Sequence, residues 1–279
     1  MPAWAHILLL ALAASATGLV GALTGLGGGI IVVPMLVLLF HVEMHYAAGA
    51  SLIAVIATSS GAAAAYLAEG YTNVRIGMLL QLPAIAGGIV GAMLVAFVPV
   101  PALLVIFGVV LLFSGYLSFR RQEELEVARP SDPLALRLNL ESSYPVLGGW
   151  RFYRVYRVVP TFVLMGVAGL VSGLLGIGSG AINVLGMDQV MRLPYKVSTT
   201  TSNLMIGITA TASAGIYLGR GYIDPTLTMP VMLGVFVGAV VGARILMLVN
   251  PKPLRVLFSV IVLLMACEMI FKGSTQWHM

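Results

Sequence analysis

Two short clusters interrupt otherwise apolar sequence: Gly27-Gly28-Gly29 and Gly178-Ser179-Gly180. Glycine adopts positive φ and lets other backbone come close, so such a cluster can break a helix within an apolar run. The helix that restarts near Gly29 or Gly180 would carry unpaired N–H groups and the positive end of its dipole in its first turn. Two such ends aimed at one centre make a site for an anion. Neutral side-chain donors would complete it: Ser51, its counterpart Ser202, and Asn203 beside the latter. Such donors suit an oxyanion that must leave as well as enter, because a fixed cation holds it too tightly. The alternative is that these hydroxyls bond back to their own helix or join neighbouring helices.

Ionisable residues within the apolar runs are few. His41, Glu43 and His45 follow the first broken unit, where imidazoles titrating near neutrality would couple movement to protons. A solvated loop end accounts for them as well. Arg244 would either attract an anion or snorkel towards the helix end near Asn250. Gln81, in an apolar run before Pro83, is expected to face a polar cavity. Catalysis finds no support. An intramembrane serine protease needs G-x-S-G and a later helical histidine, whereas position 177 is isoleucine and the only later histidine is His278. Neither glycine cluster continues into the Gly-Lys-Ser/Thr of a phosphate loop. The single cysteine, Cys267, excludes an internal disulfide and a cysteine metal site. No enzyme activity, cofactor or metal is expected.

The elements that must position these residues come twice. Adding 151 to each number carries Gly18–Gly29, GLVGALTGLGGG, onto Gly169–Gly180, GLVSGLLGIGSG. The register then holds without a gap, placing Ser51 on Ser202, Thr58 on Thr209, Gly70-Tyr71 on Gly221-Tyr222 and Gly91-Ala92 on Gly242-Ala243. With 59% hydrophobic and 9% charged residues, and a mean hydropathy of +1.03, 279 residues cannot hide their apolar side chains in a water-soluble globule. The expectation is an all-α polytopic membrane protein. Its apolar segments lie near 3–24, 28–40, 46–68, 75–98 and 101–119, and near 158–175, 179–191, 197–218, 226–248 and 253–271. The first is read as a membrane segment and not a signal peptide, because its counterpart lies in mid-chain. Residues 1–119 and 158–279 form two repeats around a polar linker, 120–157, with arginines at 120, 121, 129, 137, 151, 154 and 157. The net charge of +5 sits between apolar runs, which argues for topology control and not for nucleic acid. Gly87, Gly91, Gly238 and Gly242 have the small-xxx-small spacing of close helix packing.

One helix from Ala3 to Phe40 would be about 55 Å long, well beyond a hydrocarbon core of about 30 Å. The chain must kink or turn back at the glycines. If it turns back, each half crosses an odd number of times and the repeats are inverted. Arg75, the linker arginines, Arg192, Lys196, Lys252 and Arg255 then share one face, against Arg220 and Lys272 on the other. The positive-inside rule favours this arrangement, with the linker cytoplasmic and both termini outside.

The paired G-x-G-G-G and G-x-G-S-G segments, the hydropathy pattern and the polar central linker resemble the TauE/SafE family of membrane permeases. The resemblance implies movement of sulfite, organosulfonates or related small organic anions, and seven or eight membrane helices. The combined expectation is a secondary transporter in a bacterial inner membrane, exporting a small anion, with Gly27, Gly28, Gly29, Ser51, Gly178, Ser179, Gly180, Ser202 and Asn203 around a central site. His41, His45 and Arg244 are candidates for coupling or anion attraction. A passive anion channel and a carrier of small carboxylates are the alternatives, and pairing into a homodimer is open. Besides its substrate, the lipid bilayer is the partner expected.

Overall fold

The structure, a computed structural model, describes residues 3–24, 28–68, 70–119, 131–146, 149–246 and 251–277. The first half holds α1 (Ala3–Thr24), α2 (Gly29–Pro34) running on into a π turn over Met35–Leu39, α3 (Met44–Ala68), α4 (Val74–Leu94) and α5 (Val100–Phe119). A short α6 (Pro133–Arg137) and an antiparallel hairpin of β1 (Ser142–Val146) and β2 (Gly149–Tyr153) follow. The second half holds α7 (Val158–Leu175), α8 (Gly180–Leu185) with a π turn over Gly186–Val190, α9 (Tyr195–Gly219), α10 (Pro225–Leu246) and α11 (Pro251–Trp277). Among the described residues, the helices Val74–Phe97, Val158–Leu175 and Pro225–Gly242 are each long and apolar enough to cross a membrane.

Alongside an apolar core, the bundle buries many polar side chains and turns large apolar ones outward. Ser51, Thr58, Gln81, Ser202, Asn203 and Thr209 are buried, while Leu12, Leu82, Val163, Phe236, Leu264 and Phe271 stand exposed. A water-soluble core reverses this distribution, whereas helices surrounded by lipid turn polar groups inward.

Backbone-to-backbone crossings fix the helix directions. A Cβ on Gly87 would overlap the Gly166 carbonyl, and one on Gly91 the Leu170 carbonyl. The same holds for Gly169 against Ala84 and Gly173 against Gly88. Contacts advance together along both chains, so α4 and α7 run parallel, close enough that only glycine fits between them. At the α1–α10 crossing, Gly234 meets Ala11 and Gly238 meets Ser15, again in parallel register. Gly18 and Gly169 thus belong to these crossings and not to the breaks. The order of contacts also makes α3 parallel to α10, through Gly49 on Tyr222 and Gly61 on Phe236 and Val240. It makes α9 parallel to α4, through Gly77 on Thr201 and Gly88 on Thr209 and Ser213. By contrast, α5 and α11 run antiparallel, with Gly108 on Ile270 and Gly115 on Leu263.

Since α1 and α3 both run parallel to α10, the chain between them must travel backwards. The break does this. A Cβ on Gly28 would lie 3.8 Å from Gly18 Cα, whereas ten residues of unbroken helix would separate the two by about 15 Å. In the second half, a Cβ on Gly186 would lie 3.5 Å from Thr161 Cγ2, twenty-five residues earlier and about 37 Å away had the helix continued. Both returning rods end alike. His41 (φ 55) and Arg192 (φ 56) adopt the left-handed conformation, and Val42 N donates to Leu36 O (3.0 Å) as Leu193 N does to Met187 O (2.9 Å). These bonds, each spanning six positions and so one longer than the six-to-one bond of a Schellman cap, close each π turn behind a left-handed residue.

The linker departs from the all-helical expectation. Arg120, Arg121, Arg129 and Pro130 lie outside the described residues, but 131–146 and 149–157 fold as a cap on one end of the bundle. Asp132 caps twice, Oδ1 accepting from Leu134 N (2.9 Å) and Oδ2 from Val158 N (2.9 Å). Tyr144, Tyr153, Val155 and Leu140 pack in one apolar cluster with Ile76, Leu80 and Val197. At its centre Asn73 caps α4 through Ile76 N (3.1 Å), donates to Leu140 O (2.9 Å) and to the Tyr153 hydroxyl (2.7 Å), and donates its own backbone N–H to Thr201 Oγ1 (3.0 Å). Burial pushes the Tyr153 hydroxyl above the ordinary tyrosine value of 10.0, partly offset by the hydrogen bonds to Asn73 and Ser142. The unfolded chain therefore ionises first, and the contribution of Tyr153 to stability, complete below about pH 10, is lost as pH rises through its raised value. Tyr153→Phe should remove that alkaline loss while lowering neutral-pH stability by about 1 kcal/mol, the usual net value of one hydrogen bond. Thermal unfolding of both proteins across neutral and alkaline pH checks this; parallel curves would show that Tyr153 does not titrate in this way.

Candidate functional site

The two breaks meet at the centre of the bundle. A Cβ on Gly29 would lie 2.5 Å from Ile177 O and 2.5 Å from Val55 Cγ2. Ile177 is in the opposite break, so the start of α2 rests directly on backbone of the second half. Val55 also faces the other side, 3.1 Å from the Cβ position of Gly178, which holds φ +69 and has Ile206 Cγ2 at 2.7 Å. Both the conformation and the space restrict position 178 to glycine. Gly176 (φ 72) ends α7 in the left-handed region, its N–H donating to Ser172 O at 2.8 Å. Gly28 has an ordinary right-handed conformation (φ −61), and its Cβ position is 3.2 Å from Val235 Cγ1 and 3.7 Å from Thr58 Oγ1. Gly27 lies outside the described residues.

The serines occupy matching places. Ser51 Oγ donates to Gly29 O (3.3 Å) and Ser202 Oγ to Gly180 O (3.2 Å), both fully buried. Each thus ties the carbonyl at the start of a returning rod to the long helix behind it. A hydroxyl that donates in this way keeps its lone pairs but has used its proton, so Ser51 and Ser202 hold the breaks in shape and do not offer free donors to an anion.

Polar chemistry concentrates in the second half. Ser179, at the N-cap of α8, accepts from Asn183 Nδ2 at 2.8 Å. Asn183 is fully buried, and its Oδ1 has no hydrogen-bond partner among the described residues. The amide oxygen and nitrogen can exchange places, with the Ser179 hydroxyl then donating to Oδ1, so one end of the amide stays available in either orientation. Reading by offset could have found Asn183: its counterpart is Val32, and that of Ser179 is Gly28. Asn203 is buried beside Ser202, and its main-chain carbonyl accepts from Ser59 Oγ. Gly207 N donates to the same hydroxyl at 3.1 Å. Ser59 therefore inserts into the hydrogen-bond ladder of α9 one turn beyond Ser202. Its counterpart is Ala210, the same polar-for-apolar exchange that sets Asn183 apart, so the offset could have found it too.

Other candidates lie elsewhere. His41 is exposed at the end of the first returning rod. His45 stacks on Tyr222 at 4.9 Å and contacts Glu43 Oε1 at 3.1 Å, six residues before Ser51 on α3. Arg244 is exposed, nine residues and about 13 Å of helix beyond Val235, the residue that touches Gly28. None of the three reaches the breaks. Gln81 faces α9 and not open space: with its oxygen accepting from Thr209 Oγ1 (2.8 Å) and N (3.2 Å), its nitrogen donates to Met205 O (3.2 Å). Arg220 and Lys272 cap carbonyls at the end of the bundle away from the cap, Arg220 on Ala92 O (3.0 Å) and Met93 O (2.9 Å), Lys272 on Val37 O (3.0 Å). No group of three or more metal-ligating side chains occurs among the described residues.

Comparison with known proteins agrees with this architecture in extent. The family described as sulfite exporter TauE/SafE matches residues 10–269. The probable membrane transporter protein YdhB of Bacillus subtilis (strain 168) is 30% identical over 248 residues, covering 88% of this chain and 91% of that protein. The probable membrane transporter protein YunE of the same strain is 22% identical over 263 residues, covering 92% and 94%. A probable membrane transporter protein of Xylella fastidiosa (strain 9a5c) is 24% identical over 262 residues, covering 92% and 93%. No solved structure matches the chain.

Proposed function

The chain belongs to the sulfite exporter TauE/SafE family, and from that premise we propose that it is an integral membrane carrier exporting a small sulfur oxyanion or organosulfonate. The observation that carries the reading is the apposition of the two breaks, Gly29 against Ile177 O, with Val55 touching both. Helix first turns have N–H groups without intrahelical partners, and here two of them start from one place. The buried Ser179–Asn183 pair adds a side-chain amide from the second half only, and Val55, Ile206 and Val235 supply apolar contacts around the breaks.

The two halves act as inverted repeats. Support comes from packing that is unchanged when the halves are exchanged: the first helix of each runs parallel to α10 or α4, the fourth helix of the other. Rocking one such pair against the other around a fixed centre would open the site alternately to either side. The exposed Arg75, Arg137, Arg154, Arg157, Arg192 and Lys196 lie at the cap end, with Arg220 and Lys272 at the opposite one, which supports a cytoplasmic cap and extracytoplasmic termini.

The test is thermal unfolding of the purified protein with sulfite, sulfate, thiosulfate, taurine, acetate and chloride, followed by flux into proteoliposomes. A ligand specific to the folded state stabilises it by about 2.7 kcal/mol at a hundredfold excess over Kd. The expected result is a selective rise with a sulfur anion and saturable flux of that anion, both reduced in Asn183→Val. Stabilisation by none of the sulfur anions, or flux that never saturates, would sink the carrier reading, the latter in favour of a channel.

A further inference from the structure

The outer face of the cap is apolar where a domain bathed in water would be polar. Alternation along β2 sends Trp150 and Phe152 to one side, 67% and 59% exposed, and Arg151 and Tyr153 to the other. Leu136, in α6, and Leu138, at its C-cap, are also exposed. The Trp150 ring lies 3.4 Å from the Cβ position of Gly70, in the turn between α3 and α4, and β2 reaches the start of α7 within five residues. Arg75, one residue into α4, donates to Asn139 O (2.9 Å) next to Leu138. The apolar face is therefore level with the ends of the apolar helices and does not project beyond them. Arg154 and Arg157 follow β2 directly and Arg137 lies between Leu136 and Leu138, all three exposed, with Arg192 and Lys196 at the same end of the bundle.

We infer that the Trp150–Phe152 face is a membrane-docking surface, its rings seated among the headgroups of anionic phospholipid in the leaflet at the cap end. Tryptophan rings favour the depth where hydrocarbon meets water, and arginines beside them are drawn to anionic headgroups. A two-stranded hairpin is marginal by itself. Here the Asn73 and Tyr153 contacts hold one face and lipid holds the other. The inference rests on the membrane-carrier reading but is independent of the substrate.

The chain has three tryptophans, Trp4, Trp150 and Trp277, so Trp4→Phe with Trp277→Phe leaves Trp150 as the sole reporter in the full-length protein. In proteoliposomes of phosphatidylcholine with phosphatidylglycerol, lipid brominated near the headgroup end of its chains should remove most of the Trp150 emission, and aqueous iodide little of it. Quenching should weaken when phosphatidylglycerol is omitted; equal quenching without it would overturn the anionic-lipid assignment. Quenching by iodide and not by lipid would place the face in water, and protection from both would mean that protein, such as a second copy of this chain, covers it; either overturns the proposal. A control separates this from the carrier reading: Leu82→Trp, on the exposed face of α4, in a variant whose native tryptophans are all phenylalanine. An unquenched L82W with deeply brominated lipid would defeat the membrane-spanning reading itself, while a quenched L82W beside an unquenched Trp150 defeats only the docking surface.

Discussion

Gly29→Ala should lose about tenfold or more of its flux, an effect of about 1–3 kcal/mol such as overpacking produces, while Gly28→Ala stays near wild type. The two positions are adjacent, and both belong to the glycine cluster. Their surroundings differ in kind. At Gly29 a methyl would lie 2.5 Å from Ile177 O, backbone of the opposite break, and 2.5 Å from Val55 Cγ2. The Ile177 backbone cannot move without opening the contact between the two breaks on which the central site depends. At Gly28 the nearest atom is Val235 Cγ1 at 3.2 Å, the end of a side chain that needs to shift by only a few tenths of an ångström. The comparison is made by proteoliposome flux, with gel filtration of both variants to verify a folded, monodisperse protein. Full flux in Gly29→Ala would show that the contact between the breaks is unimportant to transport. Equal loss in both variants would show that glycine is needed throughout the cluster for its conformation and not for this one approach.

A larger effect on folding is expected at the α4–α7 crossing. In Gly173→Val even the first carbon of the new side chain overlaps the Gly88 carbonyl, and two more follow it. Parallel helices in lipid gain little from burying apolar surface against each other, because the tails are as apolar as the side chains; close backbone packing is what holds them. Forcing this crossing apart should therefore strip most of the folded protein from detergent extracts. The control is Gly215→Ala on α9, where no atom lies within 4 Å of the new Cβ. It should be neutral or slightly stabilising, since alanine is favoured over glycine in a helix interior by about 1 kcal/mol. Comparable yields of Gly173→Val and wild type would mean that the two helices are not held by this contact.

The same glycines mark the limit of what the sequence reveals. Clustering distinguished Gly28, Gly29, Gly178 and Ser179 from the evenly spaced Gly87, Gly91, Gly238 and Gly242, and the structure places the two sets in different roles. It also assigns Gly18 and Gly169, the first glycines of the repeated stretches, to the helix crossings. Ser51 and Ser202 were legible as an equivalent pair at the breaks. That their protons are used on Gly29 O and Gly180 O was not, because a hydroxyl's partner depends on which carbonyl the fold brings to it. Asn183 was passed over although its Val32 counterpart set it apart, since a single polar residue in an apolar run gains meaning only when its burial and its bond to Ser179 are seen.

Apolar runs and glycine clusters are local quantities, so the sequence alone placed the long helices, matching the expected 158–175 to Val158–Leu175 but stopping the last at 271 where α11 runs on to Trp277. Its length argument also reduced the path through each break to a kink or a reversal. The tertiary structure decided between these by setting Gly28 beside Gly18. It alone decided that α1 lies along α10 and α4 along α7, that Ser59 enters the α9 ladder, and that the polar linker folds into a cap held by Asn73 and Tyr153. Each of these joins residues dozens to hundreds of positions apart. A one-dimensional pattern fixes which face of a helix is small or polar, but only packing in three dimensions selects the partner that fills it.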